Sequence, residues 1–229
     1  MNQRVAVIVK RLILILVLAF FMSGCSVFGL GGKKREKSPE ELMSEGVSAF
    51  EDGNYIKAAT SFQDLKDRYP YSTLAVQAEL RLADALFKRK EFEQALEAYK
   101  EFEGLHPKNK SIPYVIYQQG MCNFLRMNAI DRDQTNTKKA LQEFERLSKE
   151  APKDPFALMA RRRIRKCLIN LAEHEFYVGH FYFKTGRYVA ALKRFEYLIT
   201  HYPDHGQYEK TLIYMAKCKE KLSEQKAVH

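Results

Sequence analysis

Between Gly46 and Pro203 apolar and polar residues alternate with the period of a helix, in runs broken by short polar stretches. That period lays one apolar stripe along each run and predicts amphipathic α-helices. The pattern also repeats as a block. "GVSAFEDGNYIKAATSFQDLKDRYP" (46–70) aligns without a gap on "ADALFKRKEFEQALEAYKEFEGLHP" (83–107), so that Ala58 meets Ala95, Phe62 meets Tyr99 and Pro70 meets Pro107, all 37 residues apart. "GHFYFKTGRYVAALKRFEYLITHYP" (179–203) fits the same template, with Gly179, Tyr182, Gly186, Tyr188, Ala191, Phe195, Leu198 and Pro203 in register. Each block reads as a hairpin of two helices: small residues at the crossing, a large aromatic on the second helix, and a proline that stops it.

These positions together resemble the tetratricopeptide repeat. The fold class is therefore all-α, a superhelix of helix hairpins that bury their apolar faces only by stacking. About four repeats fit, at 39–71, 76–109, 113–153 and 155–205, followed by a capping or partial fifth-repeat helix at 207–224 and a tail at 225–229. Two departures from the 37-residue period stand out. Ala95 to Ala140 is 45 residues, which places eight extra residues in the hairpin turn of repeat three, around "AIDRDQTNTKKA" (129–140). Asp131 and Asp133 would begin a calcium loop, but the glycine and glutamate such a loop needs are missing. Thr135, Asn136 or Thr137 is expected to cap the following helix. Ala140 to Ala191 is 51 residues, and no Gly or Pro interrupts Phe156 to Val178, so the first helix of repeat four is expected to be longer by about four turns.

The ends of the chain add an address. Residues 1–24 carry basic residues, the ten-residue apolar run Leu12 to Phe21, and small residues, the order of a secretory signal. The run is too short to span a bilayer, which takes about 20 residues. "MSGC" (22–25) resembles the lipobox of bacterial lipoproteins. That resemblance implies a diacylglyceryl group and an N-acyl chain on Cys25, with no other cofactor, and residues 25–38 as a lipidated flexible tether. Ser26, rather than Asp, then points to the outer membrane. Removing Arg4, Lys10 and Arg11 with the signal lowers the formal charge from +10 to about +7, a balance suited to an anionic surface or an acidic partner. No basic groove interleaved with aromatics suggests nucleic acid.

Chemistry is sparse. Cys122, Cys167 and Cys218 are widely spaced within helical patterns and read as small buried hydrophobes. His201 and His205 flank Pro203, His174 and His180 are six apart, and no nucleophile motif or phosphate-binding loop is present, so neither a catalytic set nor a metal site is expected. Phe50, Phe87 and Phe124 recur at steps of 37, with Phe183 equivalent in repeat four. With Met43, Val47, Leu80, Tyr117 and Met121 they either pack the repeats or line a groove for an extended client peptide, with Lys88 and Arg126 beside it. The run Arg161, Arg162, Arg163, Arg165, Lys166 is either a solvated helix face or a docking surface for an acidic partner, with Arg162 and Arg165 its candidates.

The lipobox, the repeats, the "DRDQT" insertion and "EHEFYVGHFYFKTGRYVAALKRFEYLITHYPDHG" (173–206) together resemble the BamD family of outer-membrane lipoproteins. The resemblance implies a non-enzymatic scaffold of the β-barrel assembly complex, anchored to the inner leaflet of the outer membrane and facing the periplasm. Its implied partners are a POTRA domain of BamA, other lipoproteins of the complex, and unfolded barrel clients. Arg194, and Phe183 near it, fall in the region that resemblance assigns to BamA. A tetratricopeptide lipoprotein of secretin or pilus assembly, DNA uptake or cell-wall coordination is the alternative.

Overall fold

A computed structural model describes residues 35–227; the signal, the lipobox and Cys25 lie outside the described residues. From Ser38 the chain forms one unit of helices α1 (Pro39–Glu51), α2 (Tyr55–Arg68), α3 (Ala75–Lys88), α4 (Phe92–Leu105), α5 (Ile112–Phe124), α6 (Thr135–Glu150), α7 (Pro155–Lys184), α8 (Tyr188–His201) and α9 (Tyr208–Ala227). Each helix packs on the next, and first helices also meet, α5 with α7 and α7 with α9. This is the all-α tetratricopeptide architecture: four hairpins in series, with α9 covering the last. α9 runs to Ala227, past residue 224 and into the stretch read as a tail.

Local chemistry starts and stops these helices where the sequence changes character. Ser38 and Glu41 form a reciprocal capping box ahead of α1, with Pro39 in the first turn, where its missing N–H costs nothing. Tyr69, His106, Ala151 and Tyr202 end the second helices in non-helical conformations, with the prolines that follow them disfavouring the α region. Their N–H groups still donate to Leu65, Phe102, Leu147 and Leu198.

The core repeats with the sequence. Phe62, Phe144 and Phe195 are fully buried, each with its ring seated on a glycine of the partner helix: Gly46, Gly120 and Gly179. A Cβ at Gly120 or Gly179 would fall 2.5 or 2.6 Å from the ring, so only glycine admits the aromatic there. Burying each ring stabilises the hairpin by roughly 1.5–3 kcal/mol. Repeat two differs, with Ala83 in the glycine's place and buried Tyr99 in the aromatic's.

α7 has 30 residues, against 13 or 14 in the other first helices. The expected lengthening is observed. No helix among the described residues is long and apolar enough to cross a membrane.

Candidate functional site

Hairpins one, two and four turn in the same way. Gly53, Lys90 and Gly186 occupy equivalent positions with φ of 75°, 64° and 74°. The N–H of each donates to Phe50, Phe87 or Phe183, and the next residue's N–H to Ala49, Leu86 or Tyr182. The same phenylalanines pack edge-on against the first residue of the second helix: Phe50 on Tyr55 at 5.2 Å, Phe87 on Phe92 at 5.4 Å, Phe183 on Tyr188 at 5.5 Å. These half-buried aromatics therefore hold their own hairpins together.

Hairpin three turns differently. Its insertion wraps around the buried side chain of Gln134, whose Nε2 donates to the carbonyls of Ala129 and Arg132 and whose Oε1 accepts from Thr137. Asn128 donates to Asp133 O, and Asn136 to Arg126 O. The helix cap differs from expectation: none of Thr135, Asn136 and Thr137 serves. Asp133 accepts instead from the backbone N–H and the hydroxyl of Thr135, which holds its carboxyl below the usual range. An aspartate side chain can reach forward to the backbone two residues on in this way. Among the described residues no cluster of His, Cys, Asp or Glu is arranged to hold a metal.

The insertion meets the first helix of the next hairpin. His174, near the start of the part of α7 that matches an ordinary first helix, has its Nδ1 2.6 Å from the Ile130 carbonyl of the insertion. Thr137 and Asn170 approach at 3.4 Å beside it. Phe124, with no aromatic at the start of α6, packs on Phe144 and lies under the Arg163 guanidinium at 5.0 Å. Arg126 pairs with Glu93 of hairpin two.

The residues proposed for a client groove divide among successive cores. Met43, Val47 and Phe50 pack in the first hairpin, Leu80 and Phe87 in the second, and Tyr117, Met121 and Phe124 in the third. Of these, Leu80 lines an open cavity of about 630 Å³ between α3 and the start of α5, with Val76, Arg81, Asp84, Lys110 and Tyr114. Asp84 is the polar centre of its wall, accepting from Tyr99 at 2.7 Å and Tyr114 at 2.5 Å. Burial raises its carboxyl, and both phenols are pushed up as well. These cavity residues were not among the candidates, yet a signal existed. Repeat two alone has Tyr99 where the others have Phe, and Asp84 where they have Val47, Met121 and His180.

Of the docking candidates, Arg162 and Arg165 are exposed on α7 and Phe183 is half-buried against Tyr188 and Tyr214. Arg194 reaches from α8 to the buried carboxylate of Glu175 at 3.0 Å. Cys122, Cys167 and Cys218 are buried free thiols; burial pushes the first two up to about 12, far from thiolate reactivity.

The chain matches the YfiO family, described as an outer membrane lipoprotein, over residues 35–229. It is 29% identical to the outer membrane protein assembly factor BamD of Neisseria gonorrhoeae, over 93% of this chain and 85% of that one. The BamD of Pasteurella multocida is 28% identical with the same coverage. Among solved structures, a thermophilic tetratricopeptide protein of Thermus thermophilus aligns at 17% identity over 81% of this chain and 99% of that chain, with a TM-score of 0.43.

Proposed function

The chain belongs to the YfiO family of outer membrane lipoproteins, and we propose that it acts as a non-enzymatic scaffold in outer-membrane protein assembly. The observation that carries this reading is the extent of the match: it spans every repeat and both departures from the period. Relatives at 28–29% identity over most of their length are named assembly factors. A hairpin stack without a reactive thiol suits such a role, because its chemistry is recognition along stacked helices.

In finer detail, Cys25 carries the diacylglyceryl and N-acyl lipids that hold the protein on the inner leaflet of the outer membrane, facing the periplasm. The C-terminal repeats, with Arg194 and Phe183, dock on a POTRA domain of BamA, and other lipoproteins of the complex join this scaffold. The N-terminal repeats engage unfolded barrel clients. The open cavity beside Leu80 offers apolar wall, two cations and a hydrogen-bonded acid to such an extended chain.

Depletion tests the reading. Unfolded outer-membrane barrels should accumulate; normal barrels with a secretin or pilus defect would move the protein to another envelope pathway. Cys25→Ser should abolish fatty-acid labelling, and a variant still labelled would refute the anchor.

A further inference from the structure

The first half of α7 presents a surface that the fold itself leaves unused. Arg162 and Arg163 lie three and four residues after Met159, and Lys166 four and three after them, which sets the four in one stripe along the helix. With Leu158 and, across from them, Tyr117 of α5, they line a trough of about 450 Å³ between two first helices. Tyr117 is buried as its floor, while Leu158 and Met159 remain 51% and 48% exposed.

The cations here differ from the arginines that the fold itself pairs. Arg126, Arg146 and Arg194 each hold a carboxylate. Arg161, Arg162, Arg165 and Lys166 are exposed and have no ion pair among the described residues. Arg163 is engaged, but by the ring of Phe124. Like charges one turn apart repel by a few tenths of a kcal/mol per pair, a cost that a partner bringing carboxylates would remove.

We propose that this trough binds an acidic peptide segment of a partner protein. Its Asp or Glu side chains meet Arg162 and Lys166, and an aliphatic or aromatic side chain rests on Leu158, Met159 and Tyr117. The concave form favours a peptide over a bilayer: the apolar residues form the wall of a trough, whereas a membrane-binding helix inserts a continuous apolar face. The proposal stands on this surface alone and does not depend on the outer-membrane assembly reading.

The test measures fluorescence anisotropy of a short labelled peptide alternating glutamate with leucine, titrated with the full-length lipoprotein in neutral detergent. Binding should weaken as salt is raised, and a peptide alternating lysine with leucine should not bind. The double variant Arg162→Glu, Lys166→Glu should lower affinity about tenfold or more, and Met159→Ala about threefold; both should keep wild-type helicity by circular dichroism, because all three positions are exposed. Unchanged affinity in the charge-reversed variant would overturn the proposal. Absence of binding by the acidic peptide would also overturn it, and a loss of binding to phosphatidylglycerol vesicles on charge reversal would then assign the face to lipid.

Discussion

Hairpins one and four close on a single glycine in the left-handed region, whereas hairpin three closes through a folded loop with no left-handed residue among those described. The short turn is complete in itself: two backbone hydrogen bonds and one aromatic contact join helix to helix. The long turn is not. It relies on Gln134 inside, on Asp133 at the helix start, and on His174 from the next hairpin. The insertion is thus held by the first helix of the next hairpin, at His174 in the repeat-equivalent part of α7, with Asn170 at the end of its extension beside Thr137. The comparison predicts that the two kinds of hairpin share a core but differ in what holds the turn.

The shared core gives the largest expected effect. Gly179→Ala and Gly120→Ala each drive a methyl group into a buried ring, and each should cost about 2–3 kcal/mol in chemical denaturation. A cost confined to Gly179 would show that hairpin three has a looser core and would break the comparison. Next, His174→Ala should remove about 1 kcal/mol. It should also speed amide exchange across 126–134 while leaving the turns at Gly53 and Gly186 unchanged; equal acceleration in all turns would deny the clasp.

The joint between regular and irregular hairpins titrates. Glu103 of α4 accepts a two-pronged contact from Arg146 of α6, at 2.6 and 3.1 Å, and a bond from Gln119 of α5. Arg146 holds the Glu103 carboxyl below its ordinary 4.5. A depressed carboxyl stabilises fully above its unfolded value and loses that contribution as pH falls through the folded one. Glu103→Gln should therefore cost about 1 kcal/mol at neutral pH, with the difference from wild type shrinking as acid protonates the Glu103 carboxyl, below its ordinary 4.5. A difference independent of pH would mean that packing, not charge, joins the hairpins. The smallest effect belongs to hairpin two, whose turn places Lys90 at φ 64°. Lys90→Gly should stabilise by about 0.5 kcal/mol, strain relief being partly offset by the freer unfolded chain. A loss of stability would show that the lysine side chain contributes there.

The hairpins, their small-on-aromatic cores, the insertion and the long helix were legible because each rests on spacing, and residue counts fix spacing. What escaped depended on side chains meeting across repeats. The Asp84–Tyr99–Tyr114 centre joins residues 15 and 30 apart in sequence, and the two substitutions within repeat two gain meaning only as a pair. Likewise, "AIDRDQTNTKKA" shows its threonines as possible caps, but which oxygen reaches the helix start depends on the backbone path, and Asp133 lies one residue ahead of Gln134, the residue that precedes the helix. The recurring phenylalanines were visible at once. Their attachment to the second helix of their own hairpin required the geometry of the turn.

We propose that this repeat stack is a scaffold for outer-membrane protein assembly. The most direct measurement is capture of the lipidated full-length protein from gently solubilised membranes, with its co-purifying proteins identified by mass spectrometry. A POTRA-bearing β-barrel protein should be recovered in stable amount, with less from an Arg194→Glu variant. Recovery of a secretin or of cell-wall proteins, with no POTRA-bearing barrel, would contradict it.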